Sequence, residues 1–276
     1  MEVHVNKRSN ASFFCYNLIG DNMNYAYVTL LSTNNYYDGV LVLFESLKKT
    51  KPKYNNFVVI VNEDIDKDKI DDLKRRGYEV IEKKKIDGSK VKNNTYKHWS
   101  NTFDKFNVFD LDYDKIVYLD SDMYINKNID ELFLLPHMSA SIAGKGMNND
   151  WDNLNSGMMV IEPDKRIKEG LIELLNSRDH EDVGDQDLIG EYFDWRNKNL
   201  EVSENYNMFA GYVDHYVNEL NYKVEDIAII HYVGSRKPWM LDGKSLSKEL
   251  TRLNKENKKI ELDFLSKYIR LFEKIK

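Results

Sequence analysis

Residues 25–32 form an unbroken apolar run rich in β-branched and aromatic residues, which predicts a core strand. Thr33, Asn34 and Asn35 follow as capping residues. From Asp38, the apolar positions Val40, Leu41, Leu43, Phe44 and Leu47 recur at helical spacing until Thr50, Lys51 and Pro52 stop them. The alternation repeats with a strand over Phe57–Val61, a charged amphipathic helix over 65–77 closed by Gly77, and a strand over 78–81. A polar surface loop over 83–92 leads to a helix over 96–110 that turns Trp99, Phe103, Phe106 and Phe109 inward. Ile116, Val117, Tyr118 and Leu119 then run straight into Asp120-Ser121-Asp122. Strands alternating with helices predict the α/β class: a nucleotide-binding domain around a mostly parallel, Rossmann-like sheet.

The second half carries shorter elements. A strand over 123–125 precedes a capped helical turn over 128–133, a strand over 140–143, and a Gly-, Asn- and Asp-rich loop over 144–153 that would lie over a site. Asn155-Ser156-Gly157 opens a strand over Met158–Ile161, and Pro163 starts a helix that runs to about residue 176. An acidic turn over 179–184 precedes a helix from Asp185-Gln186, and Asn205-Tyr206-Asn207 reads as a turn. A buried strand over 227–230 delivers His231. Leu262, Leu265, Ile269 and Phe272 share one face of a C-terminal helix that packs on the body or on a second subunit. The expected division is an N-terminal extension over 1–24, one domain over 25–240 and a helical appendage over 241–276.

The chain has 276 residues, and its 42% hydrophobic and 31% charged content is that of an ordinary globular protein. A formal net charge of -6 disfavours nucleic acid as a partner, since neutralising phosphates requires a basic surface. The one cysteine, Cys15, excludes an intramolecular disulfide and a zinc–thiolate site. No apolar run is long enough to span a bilayer, and no signal-peptide core opens the chain. A cytoplasmic location is therefore expected.

The chemistry gathers at Asp120 and Asp122. Acids at the carboxyl end of a parallel strand stand where open α/β sheets bind ligands. Two carboxylates one residue apart repel unless a cation joins them, and an all-oxygen pair suits Mn2+ or Mg2+. The alternative is a turn carrying two solvated acids. His231, at the end of a strand, is either a metal ligand through one neutral nitrogen or a core histidine with a satisfied hydrogen bond. Tyr36, where the first loop meets its helix, is either a stacking partner for a nucleobase or ordinary packing. Neither a Gly-x-Gly-x-x-Gly nor a Walker loop follows the first strand, so the dinucleotide and P-loop fingerprints are absent.

Several short patterns stand in one order: Val28-Thr29-Leu30 with Tyr36, Lys105, Asp120-Ser121-Asp122, Asn155-Ser156-Gly157, Asp182 with Asp185-Gln186, and His231-Tyr232-Val233-Gly234-Ser235-Arg236-Lys237-Pro238-Trp239. Together, over about residues 25–240, they resemble glycosyltransferase family 8, and within it the glycogenins and galactinol synthases. The resemblance implies a glycosyltransferase A type fold and retaining transfer of a hexose, glucose first, from a UDP-sugar to a hydroxyl acceptor. It implies that Leu30, Ser32, Thr33 and Tyr36 hold the uridine, with Ser121 touching the ribose. Asp120, Asp122 and His231 would bind Mn2+ or Mg2+, and Gly234 and Lys237 would contact the diphosphate. Asn155, Ser156, Asp182, Asp185 and Gln186 would line the sugar and reaction centre, with Lys105 on the sugar side. Where the family carries a basic donor contact before Lys105, this chain has Tyr96 with Lys97 beside it.

Two routes to retention follow. Asp182 or Asp185 forms a glycosyl intermediate, or the acceptor hydroxyl attacks from the face the nucleotide leaves. The acceptor is a glycan, a protein or a small polyol. Self-glucosylation in the manner of glycogenin meets Asp214 where the acceptor tyrosine would fall, with Tyr206, Tyr212, Tyr216 and Tyr222 nearby. A homodimer is expected by the same analogy. The competing classes are a nucleotidyltransferase, a non-catalytic sugar-nucleotide or glycan binder, and a structural primer.

Overall fold

A computed structural model describes residues 23–92, 102–142, 144–148 and 150–276. The leader over 1–22, the helix start over 96–101 with Tyr96, Lys97 and Trp99, and Ala143 lie outside the described residues.

The central predicted strands assemble into one sheet because they are apolar on both faces and must be covered twice. β1 (Tyr25–Leu31) and β2 (Phe57–Val61) are buried along their whole length. With β3 (Glu79–Glu82), β5 (Lys115–Leu119), β7 (Ser139–Ala140) and β8 (Met158–Ile161) they form a six-stranded sheet in the order β3-β2-β1-β5-β8-β7. The first three pairings are parallel and the last two antiparallel. The order reverses between β1 and β5, which puts a crevice beyond their carboxyl ends. Asp120 follows β5 directly. A smaller sheet joins β6 (Met123–Ile125), β10 (Met208–Phe209) and β11 (Ile229–His231), with β11 in the middle. It carries His231 to the same end as the acids.

α1 (Tyr37–Lys49) and α2 (Lys67–Arg75) follow β1 and β2 as the periodicity predicts. Other elements differ in detail. The described part of the helix expected over 96–110 is a 3-10 helix, Phe103–Phe109. Its pitch of three residues brings Phe103, Phe106 and Phe109 to one fully buried face, so the expected inward positions hold while the turn type does not. α3 (Lys165–Ser177) starts two residues beyond Pro163, because the Asp164 carboxylate accepts from Arg166 N and sets the cap there. Val91–Lys92 (β4) and His180–Glu181 (β9) pair in parallel where a loop and a turn were expected, being too short to show any period. α4 (Asp185–Phe193) begins at the expected residue.

Leu262, Leu265, Ile269 and Phe272 lie on one helix as expected, α7 (Lys259–Ile275), and a further helix, α6 (Gly243–Lys255), precedes it. Phe264, Leu265, Tyr268 and Phe272 of α7 bury against Val42, Tyr124, Tyr232 and Trp239, so the apolar face is spent on the body of the protein. Asp214, in α5 (Val213–Asn218), anchors the start of α7: its carboxylate accepts from Ile260 N at 3.1 Å and Glu261 N at 2.9 Å. No helix among the described residues is long and apolar enough to cross a membrane.

Candidate active site

Asp120 and Asp122 arrive on the one turn between β5 and β6 and His231 at the end of β11, and each is aimed by its backbone. Asp120 N donates to Gly157 O at 2.8 Å, which ties the end of β5 to the start of β8. Tyr232 N donates to Asp122 O at 3.0 Å, which ties β11 to the turn between the acids. One potential ligand atom from each of the three residues falls within 4.8 Å of the others.

Each carboxylate is held through one oxygen and offers the other. Asp120 Oδ1 accepts from Tyr118 Oη at 2.8 Å and pairs with Lys105 Nζ at 3.0 Å, leaving Oδ2 3.9 Å from His231 Nε2. Asp122 Oδ2 is bonded by Lys237 Nζ, leaving Oδ1 3.1 Å from His231 Nε2. Burial would push the Asp122 carboxyl up, but His231 when protonated and Lys237 outweigh it and hold it well below the usual carboxylate range. Lys105 is itself buried. Burial alone would lower its pKa, yet Asp120 and Asp185 raise it above the ordinary lysine value and keep it cationic. Its Nζ also donates to Ser156 Oγ at 3.0 Å, and Ser156 Oγ donates to Asp185 Oδ2 at 2.7 Å. Asp185, opposed by burial, is kept ionised by Lys105, Ser156 and Thr102.

The imidazole is oriented by a residue that sequence reading took for part of a turn. Asn207 is fully buried, and its Oδ1 lies 2.7 Å from His231 Nδ1. Its Nδ2 donates to Asn155 Oδ1 at 2.8 Å, and Asn155 Oδ1 also accepts from Gly157 N at 3.0 Å. That second bond identifies the Asn155 atom as the oxygen, so Asn207 turns its own oxygen to His231 and Nδ1 carries the proton. On a neutral ring Nε2 would then face the two carboxylates with a lone pair, an arrangement that a cation between them would resolve. Two carboxylate oxygens and a neutral imidazole nitrogen are a donor set for Mn2+ or Mg2+, the nitrogen favouring Mn2+. Gly157 makes room for the ring: a Cβ there would lie 2.7 Å from His231 Cε1. Gly39 does the same for the turn between the acids, since a Cβ there would stand 2.6 Å from Ser121 O.

The remaining sequence candidates divide. Tyr36 lies beside Lys237, whose Nζ stands 5.6 Å from the ring centroid, and meets Trp239 edge-on at 5.5 Å. Trp239 Nε1 donates to Asn35 O, closing the loop after β1 onto the segment after β11. Leu30 is buried at the end of β1, Ser32 O accepts from Asn62, and Thr33 is exposed on the same loop. Gln186 Oε1 accepts from Ser156 N at 3.2 Å. Gly234 is exposed at φ 88°, in the turn before Lys237. Asp182 stands half-buried at φ 48°, its N–H donating to Lys92 O. Lys97 lies outside the described residues. Tyr118, Gly157 and Asn207 were missed, and only the Asn-Ser-Gly triplet hinted at any of them.

Comparison with known proteins bears on this geometry. The family model described as glycosyl transferase family 8 matches residues 27–243. An uncharacterized protein of Acanthamoeba polyphaga mimivirus is 30% identical over 90% of this chain and 91% of its own length. UDP-glucuronate:xylan alpha-glucuronosyltransferase 1 of Arabidopsis thaliana is 31% identical over 64% of this chain, and Glycogenin-1 of Caenorhabditis elegans 30% identical over 79%. The chain spans only 26% of the plant protein and 51% of the nematode one. The galactosyltransferase LgtC, solved with donor and acceptor sugar analogues, superposes with a TM-score of 0.60 at 16% identity, covering 90% of this chain and 95% of that one. At that identity the likeness speaks for the fold.

Proposed function

The chain belongs to glycosyltransferase family 8 and has the glycosyltransferase A fold; from that premise we propose that it moves a hexose, glucose first, from a UDP-sugar to a hydroxyl acceptor with retention of configuration. The observation that carries the reading is the meeting of Asp120 Oδ2, Asp122 Oδ1 and His231 Nε2, with Lys237 beside them. Asp120, Asp122 and His231 would hold Mn2+ or Mg2+, which when bound neutralises the charge that develops on the departing diphosphate.

The other roles are those that the family resemblance implies. Tyr36, Leu30, Ser32 and Thr33 border the uridine end, Ser121 the ribose, and Gly234 and Lys237 the diphosphate. Asn155, Ser156, Asp182, Asp185 and Gln186 border the sugar. Lys105 has its three donors engaged by Asp120, Asp185 and Ser156, so it works by holding those groups rather than by touching the sugar. The same bonds make Asp185 a poor nucleophile, because its Oδ2 already accepts from Ser156 and pairs with Lys105. This favours attack from the leaving group's own face: the acceptor oxygen bonds to the anomeric carbon as the bond to the phosphate oxygen breaks. UDP leaves with that electron pair, and the hydroxyl proton passes to it.

Self-glucosylation finds little support at the expected place. Asp214 is committed to anchoring α7. Tyr216 is buried and donates to Glu204 at 2.6 Å, Tyr222 donates to the same carboxylate, and Tyr206 donates to Glu131. Tyr212, 43% exposed, is the accessible phenol of the four. A single cysteine and use of a nucleotide sugar suit the cytoplasm. The test is to supply UDP-glucose, UDP-galactose and UDP-glucuronate in turn with Mn2+ while following UDP release and protein mass. Metal-dependent UDP release that disappears in Asp122→Asn is expected; no release from any donor rejects the transferase reading.

A further inference from the structure

Beside the reaction centre lies a cavity of about 140 Å³. Asn155 and Gln186 form its inner wall, and both are bonded into the centre through Asn207 and Ser156. Trp151 forms the outer wall. One side of its ring covers Gly144, where a Cβ would collide with both Trp151 and Phe209, while the residue stays 50% exposed. Phe209 in turn meets the His231 ring edge-on at 5.8 Å. The cavity therefore opens within one layer of side chains of the metal ligands. Asn153, Leu154, Asp187 and the Arg196–Asp152 pair, 2.9 Å apart, complete the lining.

A flat indole half-open to solvent suits the C–H face of a pyranose ring. Amides and carboxylates around it can take hydroxyls in both donor and acceptor senses. The guanidinium of Arg196 is already neutralised by Asp152, so little positive charge is left over for a phosphate or a uronate. A linear polyol or a tyrosine presents no such C–H face with a ring of hydroxyls. We propose that this cavity is the acceptor subsite and takes the terminal pyranose of a neutral glycan, stacked on Trp151 with one hydroxyl directed past Asn155 and Gln186. The proposal rests on the glycosyl-transfer reading. In the step it serves, the sugar hydroxyl oxygen bonds to the donor's anomeric carbon and the carbon–phosphate oxygen bond breaks. UDP takes that electron pair and the hydroxyl proton, giving a glycoside and UDP.

The test measures UDP release by the full chain with its active donor and Mn2+, alone and with maltotetraose, cellotetraose, xylotetraose or glycerol. At least one oligosaccharide should gain a hexose, and glycerol should not. The ratio of transfer to donor hydrolysis should fall about tenfold or more in Trp151→Ala, as stacking energies imply, and recover in large part in Trp151→Phe. Donor hydrolysis with no oligosaccharide accepting, or an unchanged ratio in Trp151→Ala, overturns the subsite alone. No UDP release from any donor removes the transferase reading and the subsite with it.

Discussion

Replacing Asn207 tests how the imidazole is prepared for a cation. The amide makes two bonds that decide the outcome: it accepts from His231 Nδ1 at 2.7 Å and donates to Asn155 Oδ1 at 2.8 Å. Leucine at this fully buried position keeps the volume and loses both. Asn155 Oδ1 still accepts from Gly157 N, so one group is orphaned rather than two. A single unsatisfied buried donor costs about 1–3 kcal/mol. The neutral ring then avoids that cost by moving its proton to Nε2, where Asp122 Oδ1 waits at 3.1 Å. A protonated Nε2 cannot bind a metal, so Mn2+ affinity should fall about 10- to 100-fold.

Asn207→Asp separates orientation from stability. Its carboxylate still accepts from Nδ1–H, but it faces Asn155 Oδ1 with no donor between them. Stability should drop by about 1–3 kcal/mol, while Mn2+ affinity stays near wild type. Free Mn2+ followed by electron paramagnetic resonance gives the affinity, thermal unfolding gives the stability, and nitrogen NMR of the Mg2+ form gives the tautomer. Leucine binding Mn2+ as well as wild type, or aspartate losing it as fully as leucine, would refute the reasoning.

Gly157→Ala should cost about 1–3 kcal/mol by overpacking against His231 Cε1 and should weaken Mn2+ binding, read by thermal shift with and without the ion. Lys105→Met leaves the buried Asp185 and the half-buried Asp120 without their common cation; a loss of about 3–5 kcal/mol is expected in denaturant unfolding, and a loss below about 1 kcal/mol would mean the acids relax easily. Acid should destabilise the fold through Asp122 and Asp185. Both carboxyls have folded pKa values below the ordinary value of about 3.9, so in that window the unfolded chain binds more protons, and stability is lost as pH falls through it. Asp185→Asn should flatten the melting-temperature profile below about pH 4, and an unchanged profile would place the acid sensitivity elsewhere.

The strands β1, β2, β5 and β8 are legible because sheets buried on both faces demand unbroken apolar runs. The acids and His231 stand out because charged groups rarely end such runs. Asn207 does not stand out: an asparagine between Tyr206 and Met208 reads as turn chemistry. Its role exists only because β10 and β11 pair in parallel and bring it beside a ring 24 residues away in sequence. The pair β4 and β9 is hidden for a different reason, since two residues carry no period. The helix start at Pro163 was misplaced because a side-chain cap at Asp164 outranks the proline's preference for the first turn.

The charges of the centre explain why these residue types recur together. Asp120, Asp122 and Asp185 face Lys105 and Lys237, which leaves one negative charge in excess while His231 is neutral. That excess is concentrated at Asp120 Oδ2 and Asp122 Oδ1, which pair with no lysine among the described residues, so a cation would be drawn to that point rather than to the crevice at large. A divalent ion there would reverse the local sign, and an anionic diphosphate would then meet a positive wall that already includes Lys237. Had either lysine been absent, the acids would repel one another in the empty site; had a third been present, the cage would lose its pull on a metal. The balance therefore ties cation binding and nucleotide binding to the same few side chains.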